Sequence, residues 1–482
     1  MWAQRLSEFQ NLQFINVALI KSISGIRGTI GGKQGENLTP LDVVRFSAAF
    51  ATMLKEGRGK ENCKVVVGRD GRISGDMVQE LVIQTLISMG VDVVDLGLST
   101  TPTVEWAVPA ENADGGIIIT ASHNPKEWNA LKLLNREGEF ISGETGKALL
   151  HIASAEDFQF NSVDKLGTRK KEDRYLTEHI QAVLNYPLVD KKAITDAGFS
   201  VVVDAINSTG AIYVPALLEA LGVKKVSVLN AEVNGRFDHN PEPLPEHLTG
   251  LSNEVVKQKA DLGIAVDPDV DRLCFVNEDG SLFGEEFTLV AVADYMLKHR
   301  KGNTVSNMSS TKALKEITLK YGGDYSPSAV GEVNVVKKMK EVNAVIGGEG
   351  NGGIIVPDFH YGRDALIGIA LFLSHLARQG KGMTSLRKKY PEYFISKNKI
   401  ELNGQAPDLK DIFEKIREKY HNHPINTEDG LKIEFENDWV HLRGSNTEPI
   451  IRVYAESDLE TKANNIAAQL IRDIKEFINL TD

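Results

Sequence analysis

Short apolar runs alternate with longer segments of helical periodicity along most of the chain. A run at residues 65–67 precedes a polar turn, apolar residues at helical spacing fill 76–89, and a second run follows at 91–96. The same order recurs within 201–229 and within 287–321. Such alternation is typical of βαβ units, so it predicts mixed α/β sheets in three comparable blocks.

The last block has a different pattern. A charged segment with a proline at 388–391 is typical of a linker. Beyond it the spacing predicts a strand, a helix at 409–419, a strand at 431–435 and a final helix at 459–478. We therefore expect a smaller α+β domain after three α/β domains. The predicted boundaries are an N-terminal extension 1–17 and domains at 18–168, 169–285, 286–391 and 392–482.

Composition limits the kinds of protein that this chain can be. A hydrophobic fraction of 42% and a charged fraction of 25% are ordinary for a globular protein. The net charge of -11 argues against binding to nucleic acid or to an anionic membrane, so an anionic ligand must be captured by local arginines. Cys63 and Cys274 are too few for a disulfide framework. Without a signal-peptide pattern or an apolar run near ~20 residues, a cytoplasmic protein is predicted.

One serine stands on a tight turn directly after an apolar run. Residues 117–119 predict a short strand, and Asn124 with Pro125 predicts a helix start, because the missing proline N–H would be unpaired there anyway. The turn would expose Ser122, and the N–H groups of the following helix would favour an anion such as a phosphate on that serine. The alternative interpretation is a Ser-His-Asn turn that only caps a helix.

Three aspartates alternate between two further apolar runs. Carboxylates at Asp267, Asp269 and Asp271 are spaced to converge on one hard cation, and their oxygens suit Mg²⁺. The neighbouring Arg272 indicates a phosphate shared with the metal. An EF-hand loop competes, since Glu278 is the twelfth residue counted from Asp267, but Arg272 stands where that motif needs glycine. A solvated acidic turn is the other alternative.

The glycine-rich stretch 347–353 holds one carboxylate and one amide. Glycines let a backbone approach a ligand closely, and Glu349 and Asn351 carry groups that hydrogen-bond sugar hydroxyls. Alone, this motif indicates a site only weakly.

The segment 443–452 combines two guanidinium groups, Arg443 and Arg452, with hydroxyls, an amide and loop N–H groups. This is the set of donors that grips a phosphate monoester. A polar turn ahead of an edge strand is the alternative interpretation.

These four segments, in this order, resemble those of the alpha-D-phosphohexomutases, the family of phosphoglucomutase, phosphomannomutase and phosphoglucosamine mutase. The likeness begins at Ser24-Gly25-Ile26-Arg27-Gly28, continues at Gly68-Arg69-Asp70-Gly71-Arg72-Ile73-Ser74-Gly75, and then runs through the serine, metal, sugar and phosphate loops. Because the motifs keep the family's order over nearly the whole chain, the likeness is specific. It implies an isomerase with four domains around a central cleft.

The resemblance also implies the residues of the site. Ser122 is expected to carry a phosphate and to act in catalysis with Arg27 and Lys132. One Mg²⁺ per chain is expected on that phosphate and on Asp267, Asp269 and Asp271. Contacts to the substrate are expected from His123, Arg272, Glu349, Asn351, Arg443, Ser445, Asn446, Thr447 and Arg452.

Two positions depart from the family's pattern. Many members have serine where this chain has Asn351 and histidine where it has Gly353, and in some of them that histidine transfers a proton. The general base is therefore left open, with Lys132, Arg27 and His360 as candidates. His360 is equally compatible with an ordinary loop histidine.

The expected reaction follows from phosphoserine chemistry. The serine phosphate is donated to one sugar hydroxyl, which gives a hexose 1,6-bisphosphate as intermediate and activator, and the other phosphate is taken back. Activation requires an initial phosphorylation of Ser122. We expect a monomer or homodimer whose partners are hexose phosphates.

The likeness to phosphoglucosamine mutases is carried by the Ser-Gly-Ile-Arg-Gly start, the Gly-Glu-Gly-Asn-Gly-Gly loop and residues 330–334. It implies conversion of glucosamine 6-phosphate to glucosamine 1-phosphate, for amino-sugar nucleotides and cell-wall precursors. Glucose and mannose phosphates are the alternative substrates. A sugar phosphatase and a non-catalytic sugar-phosphate sensor are the alternative functions.

Overall fold

The described residues form three mixed sheets and one antiparallel sheet, each packed against helices. The structure is a computed structural model that describes residues 19–22, 25–58, 63–402, 409–444 and 450–478. The predicted extension 1–17, Ser24 of the first motif, and Ser445, Asn446 and Thr447 of the phosphate loop lie outside the described residues.

The first sheet is mixed. Its strands are β1 (Ile20–Ser22), β2 (Gly25–Thr29), β3 (Cys63–Arg69), β4 (Val91–Leu98), β5 (Gly115–Ile119), β6 (Trp128–Leu134) and β7 (Arg169–Lys171), and its helices are α1 (Pro40–Arg58), α2 (Gly75–Ser88), α3 (Thr101–Ala110) and α4 (Gly143–Ala155). The strand order is β1-β2-β6-β5-β3-β4-β7. β3 pairs in parallel with β4 and β5, whereas β6 is antiparallel to β5.

The second sheet has four strands in the order β11-β10-β8-β9. Its elements are α5 (Tyr175–Asn185), α6 (Lys191–Ala197), β8 (Ser200–Asp204), α7 (Gly210–Ala220), β9 (Lys225–Leu229), α8 (Thr249–Gln258), β10 (Leu262–Val266) and β11 (Leu273–Asn277). β8 pairs in parallel with β9 and β10, and β11 returns antiparallel to β10.

The third sheet repeats this plan with five strands in the order β13-β12-β14-β15-β16. Its strands are β12 (Asn303–Asn307), β13 (Tyr325–Ser328), β14 (Ala344–Glu349), β15 (Gly353–Val356) and β16 (His360–Arg363). Its helices are α9 (Glu285–His299), α10 (Ala313–Lys320), α11 (Glu332–Val342), α12 (Ala365–Gln379) and α13 (Met383–Arg387).

The fourth sheet is antiparallel throughout and has the order β17-β21-β20-β19-β18. Its elements are β17 (Phe394–Glu401), α14 (Leu409–Lys419), β18 (Ile425–Asn426), β19 (Leu431–Glu434), β20 (Trp439–Gly444), β21 (Ile450–Ser457) and α15 (Glu460–Phe477). β21 lies between β17 and β20, so the edge strand considered in the sequence analysis is an interior strand.

The apolar cores follow this arrangement. The first and fourth sheets have cores of their own. The second and third sheets share one core, in which Phe275 of β11 stacks on Phe372 of α12 with ring centroids 3.8 Å apart. All five residues of β5 are buried, as expected for a strand whose sheet is covered on both faces.

The predicted α/β fold class with a different last domain is confirmed, and none of the described helices is long and apolar enough to cross a bilayer. The predicted helix start at Asn124 and Pro125 is wrong. The chain turns there and enters β6, where Leu131 pairs antiparallel with Ile119. Asparagine and proline favour turns as well as helix starts, and the apolar residues that follow complete the sheet.

Candidate active site

Three loops of the candidate site leave the carboxyl ends of parallel strands. Ser122 follows β5, Asp267 follows β10, and Glu349 ends β14. Each of these strands has a parallel neighbour in its own sheet. Ligand sites of open α/β sheets lie at this edge, so the topology alone brings the three loops to equivalent positions.

Ser122 has an unusual backbone and a buried side chain. Its φ of 50° is in the left-handed region, which costs a non-glycine residue about 1–3 kcal/mol and is common at functional sites. Its N–H donates to Thr120 Oγ1 at 2.9 Å. Its hydroxyl is aimed at the metal loop and donates to Asp267 Oδ2 at 2.7 Å.

Arg72 holds the serine turn in place through hydrogen bonds to its carbonyl oxygens. Its buried guanidinium donates to the carbonyl oxygens of Ser122, Asn124, Pro125 and Trp128. These bonds replace the helix N-terminus that the sequence analysis expected as support for the serine. Their number explains how the strained serine conformation is held in place.

Asp70 completes the support of the serine turn. Its carboxylate pairs with Arg72 Nε at 3.1 Å and accepts from Thr120 Oγ1 at 2.6 Å. Both Asp70 and Arg72 belong to the motif at 68–75, so the structure gives that motif a role in positioning the serine turn. Burial raises the pKa of Asp70, while the charge of Arg72 opposes that rise.

The aspartate loop closes on itself. Oδ1 of Asp267 accepts the N–H groups of Asp271 and Arg272, both at 3.1 Å. Val270, between Asp267 and Asp271, adopts a φ of 62°, which is an outlier for a β-branched residue. This backbone turns all three carboxylates to one side, where ligand atoms of Asp267, Asp269 and Asp271 lie within 4.8 Å of one another.

Four of the six carboxylate oxygens in this cluster are paired, two of them the oxygens of Asp267 described above. Oδ2 of Asp269 accepts from Thr101 Oγ1 at 2.6 Å and from Lys132 Nζ at 2.7 Å. Oδ2 of Asp271 accepts from Arg363 Nη2 at 2.7 Å and from Lys132 Nζ at 3.4 Å. The remaining Oδ1 atoms of Asp269 and Asp271 are buried and have no hydrogen-bond partner among the described residues. Orphaned carboxylate oxygens beside Ser122 are the donors that a hard cation such as Mg²⁺ requires.

The EF-hand alternative is excluded. The loop runs between strands β10 and β11 instead of between helices. The carboxylate of Glu278 accepts from Thr384 N at 3.0 Å and from its hydroxyl, so it does not complete the aspartate cluster.

Electrostatics separate the ionisable groups of the site. Burial, followed by the charges of Asp269 and Asp271, holds the pKa of Asp267 well above its ordinary value. Burial would also raise the pKa of Asp269, but the ammonium group and hydrogen bond of Lys132 outweigh it and the pKa falls. The same carboxylates raise the pKa of Lys132 against the effect of burial, so its amine is an ammonium group at neutral pH.

His123 and Arg27 stand beside the serine. His123 Nδ1 lies 3.4 Å from Ser122 Oγ, and burial with the nearby Arg272 and Arg27 lowers the pKa of His123 well below its ordinary value. The imidazole is therefore neutral at pH 7. Arg27 donates to Asn124 Oδ1 at 3.0 Å, which ties the strand β2 to the serine turn.

Arg272 pairs with a carboxylate outside the aspartate loop. Its Nη1 donates to Glu242 at 2.8 Å, and its buried Nε, 4.0 Å from Asp267 Oδ2, has no hydrogen-bond partner in the part of the chain that the structure describes. A guanidinium with an unused N–H next to the serine and the aspartates is suited to an added phosphate.

Arg363 is a site residue that the sequence analysis missed. Its guanidinium donates to Asp271 at 2.7 Å, to Glu349 at 2.7 Å and to Glu332 at 3.0 Å. It thus joins the metal loop to the sugar loop. Gly353 makes room for it, because a Cβ there would lie 2.3 Å from Arg363 Cδ, but no pattern in the sequence marks this contact.

In the sugar loop, both predicted residues are engaged. Glu349 Oε1 accepts from Asn307 Nδ2 at 2.9 Å and from Gly331 N at 3.1 Å, and Arg363 binds its Oε2. The side-chain oxygen of Asn351, Oδ1, accepts the N–H of Gly353 at 3.1 Å. Its side-chain nitrogen, Nδ2, lies 3.5 Å from Glu349 Oε2.

The two arginines of the phosphate loop face each other. Arg443 of β20 and Arg452 of β21 are directly opposite residues in the antiparallel pair. Like charges at such positions destabilise a sheet, which favours a role in holding an anion. Asp429 lies 3.4 Å from Arg443 and also accepts the N–H of Val330, so it links Arg443 to the segment that follows β13 of the third sheet.

His360 is separate from the serine. Its Nε2 lies 3.1 Å from Asp364 Oδ2, and its ring contacts that of His179 edge to face. Among the hydrogen bonds of the described residues it has none to Ser122 or to the three aspartates, so its proposed part in proton transfer finds no support.

Four family models match the chain in order. They are the phosphoglucomutase/phosphomannomutase alpha/beta/alpha domain I over residues 19–160, domain II over 176–280, domain III over 285–393, and the C-terminal domain over 401–473.

Individual proteins of the same family are also similar to this chain. A phosphoglucomutase/phosphomannomutase of Thermococcus kodakarensis is 38% identical over 457 residues, which cover 94% of this chain and 98% of that protein. A phosphoglucosamine/phosphogalactosamine mutase of Sulfurisphaera tokodaii is 34% identical over 92% of this chain and 97% of its own. A crystal structure of a phosphoglucomutase/phosphomannomutase family protein from Burkholderia thailandensis matches with a TM-score of 0.80 at 25% identity, covering 96% of this chain and 97% of that one.

Proposed function

The chain belongs to the phosphoglucomutase/phosphomannomutase family of isomerases, and we propose that it interconverts the 6-phosphate and 1-phosphate of a hexose through a phosphate carried on Ser122. One observation carries this proposal: the hydroxyl of Ser122 lies 2.7 Å from Asp267, within a cluster of carboxylates that has two orphaned buried oxygens. A serine that only capped a helix would need no such cluster.

Mg²⁺ is the proposed cofactor. Asp267, Asp269 and Asp271 would hold it together with the phosphate on Ser122. When bound, it supplies positive charge that polarises the phosphoryl group and offsets the charge that develops during transfer. The aspartate carboxylates contribute the negative charge that suits a hard cation.

The residues around the serine position the reacting groups. Arg72 and Asp70 hold the turn so that the serine oxygen keeps one direction in both half-reactions. Arg27, Lys132 and the unused N–H of Arg272 surround the serine with positive charge, which stabilises a phosphoryl group in transfer. The P–O bond to the serine oxygen breaks as a sugar hydroxyl oxygen bonds to the phosphorus. The proton lost by that hydroxyl is balanced by the proton that the serine oxygen takes up as it becomes a hydroxyl again.

The phosphate loop provides the second grip. Arg443 and Arg452, with Ser445, Asn446 and Thr447 between them, are proposed to hold the phosphate that is not being transferred. The bisphosphate must turn over between half-reactions, and one clamp then serves either end. Glu349 and Asn351 are proposed to bind the ring hydroxyls that both orientations present.

Glucosamine 6-phosphate is the proposed substrate, with the hexose 1,6-bisphosphate as intermediate and activator. The resemblance of the first motif and sugar loop to phosphoglucosamine mutases supports it, as does the 34% identical relative that acts on phosphoglucosamine and phosphogalactosamine by name. Glucose and mannose phosphates are the second candidate, because the Thermococcus relative at 38% identity carries those names.

Steady-state kinetics test this proposal. We expect isomer formation with each of glucosamine, glucose and mannose 6-phosphate, and the highest kcat/KM on glucosamine 6-phosphate. A ranking led by glucose or mannose phosphate would contradict the sugar assignment alone. Release of inorganic phosphate without isomer would establish the phosphatase alternative, and binding without turnover would establish the sensor.

We propose that the enzyme is located in the cytoplasm and is a monomer or a homodimer.

A further inference from the structure

Two histidines and an aspartate meet in a second cluster that the phosphoryl chemistry does not use. His179 lies on α5, His360 begins β16, and Asp364 directly precedes α12. The Nε2 atoms of His179 and His360 lie 3.0 and 3.1 Å from the same oxygen, Asp364 Oδ2. All three ligand atoms lie within 4.8 Å of one another.

Only one carboxylate oxygen of Asp364, Oδ2, faces the two histidines. Oδ1 of Asp364 caps α12, accepting the N–H groups of Leu366 at 2.7 Å and Ile367 at 3.3 Å. Oδ2 is thereby directed away from the helix, toward the two imidazoles. The helix cap fixes the carboxylate before any ligand binds, which is the kind of preorganisation that a metal site needs.

The other nitrogen of each imidazole faces an oxygen. Nδ1 of His179 lies 2.8 Å from Thr103 Oγ1, and Nδ1 of His360 lies 3.7 Å from Glu105 Oε2. Histidines that bind metals through one nitrogen regularly donate the other N–H to an oxygen, for example that of a carboxylate or a backbone carbonyl. Thr103 and Glu105 come from α3, so three parts of the chain meet here.

Glu105 lies beside His360 with an unsatisfied carboxylate. Its side chain is buried, and within the described ranges of the chain neither of its carboxylate oxygens has a hydrogen-bond partner. If His360 only donated its Nε2–H to Asp364, its neutral ring would turn an acceptor nitrogen toward this carboxylate. A metal on Nε2 moves the ring proton to Nδ1 and gives Glu105 a donor.

We propose that His179 Nε2, His360 Nε2 and Asp364 Oδ2 hold a divalent transition metal of the Zn²⁺ class, separate from the aspartate cluster. Zinc bonds of about 2.0–2.1 Å in tetrahedral geometry separate neighbouring ligand atoms by about 3.3 Å, so the two observed distances need to open only slightly. Imidazole ligands favour this class, whereas the all-oxygen aspartate cluster favours Mg²⁺. The rings of Trp106 and Phe359 each stack against that of His179, with centroids 6.0 and 5.6 Å away.

The metal would act as a structural link. It would connect α5, α12 and the region of α3 that carries Glu105, and it needs no part in phosphoryl transfer. Its loss should therefore lower the melting temperature of the protein before it changes the chemistry at Ser122.

Metal analysis of the untagged full-length protein tests this proposal. After growth with added zinc and dialysis into metal-free buffer, we expect about one zinc per chain in wild type and less than a tenth of that in His360→Gln. Glu105→Gln should weaken zinc binding roughly 10–100-fold, as for other histidine-orienting carboxylates. His375→Gln, at a buried histidine outside the cluster, should keep the zinc. Asp269→Asn should keep it as well, which separates this site from the catalytic one.

Cobalt provides the second measurement. Co²⁺ added to chelator-stripped wild type should give the visible absorption bands of a tetrahedral site, and these bands should be absent in His360→Gln. A folded wild type that binds neither zinc nor cobalt would overturn the proposal and leave a hydrogen-bonded His-Asp-His cluster. Equal zinc in wild type and His360→Gln would overturn it too. Neither result would affect the proposed mutase activity.

Discussion

Arg363 Nη2 donates a 2.7 Å hydrogen bond to Asp271 Oδ2, and through this bond the loop that carries the aspartates is joined to the loop that carries Glu349. The two loops belong to different sheets. Three carboxylates share this one buried guanidinium, and an ion pair of this kind is costly to break from one side. Metal binding and sugar binding should therefore depend on one another through Arg363.

Replacing Arg363 by lysine tests this dependence. Arg363→Lys keeps the charge but loses the planar fork that reaches several carboxylates, so we expect kcat/KM to fall by roughly 10–100-fold. The concentration of Mg²⁺ that gives half-maximal activity should rise in the same variant. Arg378→Lys, at an exposed arginine paired with Asp190, is the matched control and should be unchanged. A normal Mg²⁺ requirement in Arg363→Lys would show that the bond to Asp271 has no functional weight.

A second prediction concerns the metal. Asp269→Asn removes one ligand charge from the proposed Mg²⁺ site, and a loss of about 3 kcal/mol of stabilisation would lower kcat roughly 100-fold. The melting temperature should change little in comparison. Asp279→Asn, at an exposed aspartate of the same region, is the control. Full activity of wild type after thorough chelation would exclude the metal role.

A third prediction separates the clamp from the chemistry. Arg443→Ala removes a charge-assisted contact worth roughly 1.5–3 kcal/mol, so kcat/KM should fall at least about tenfold. Phosphate on Ser122, measured by intact mass, should persist, since the serine turn is untouched. Arg417→Ala on α14, an exposed arginine of the same domain paired with Glu414, should behave as wild type. Unchanged kinetics in Arg443→Ala would favour an ordinary polar turn.

Acid sensitivity is predicted at His441, a buried residue of β20. Nδ1 of His441 lies 2.8 Å from Ser309 Oγ and Nε2 lies 2.7 Å from the carbonyl oxygen of Asp429. Burial lowers the pKa of His441 to about 4, although the bond to Asp429 opposes this. An unfolded histidine binds its proton near pH 6.5.

The direction in which pH changes the stability follows from these two pKa values of His441. Between about pH 6.5 and about 4 the unfolded state binds more protons at His441 than the folded state does, so the free energy of unfolding decreases as the pH is lowered. His441 contributes at most about 3 kcal/mol to this decrease. Thermal melts of His441→Gln should lose that part of the pH dependence, while His421→Gln at an exposed position should not. Parallel pH profiles for wild type and His441→Gln would contradict the assignment.

Some features of the site could be predicted from the sequence because each lies within one short segment. Asp267, Asp269 and Asp271 are spaced by two residues, and Ser122 follows its strand by three. Any fold that kept these loops intact would present the same groups together. The arrangement of strands and helices was likewise readable, because apolar spacing reports it directly.

Other features depend on distant parts of the chain. Arg72 reaches the serine turn and Arg363 reaches Asp271 only because sheets bring them together, and neither spacing nor residue type marks such contacts. The expected helix after Asn124 failed for the same reason. Local turn signals were correct, but pairing of β6 with β5 decided what followed the turn.

In the proposed mechanism phosphate passes through Ser122, and an isotope experiment can detect that passage. Wild-type enzyme is mixed briefly with glucosamine 6-phosphate whose phosphate carries heavy oxygen, then quenched and digested, and the peptide containing Ser122 is weighed. We expect heavy phosphate on Ser122 of wild type and of Ser154→Ala, a control at an exposed serine of the same domain. With Ser122→Ala we expect no phosphate on that peptide and no isomer. Labelled hexose 1-phosphate formed while Ser122 stays unlabelled would show that phosphate reaches the sugar without passing through Ser122.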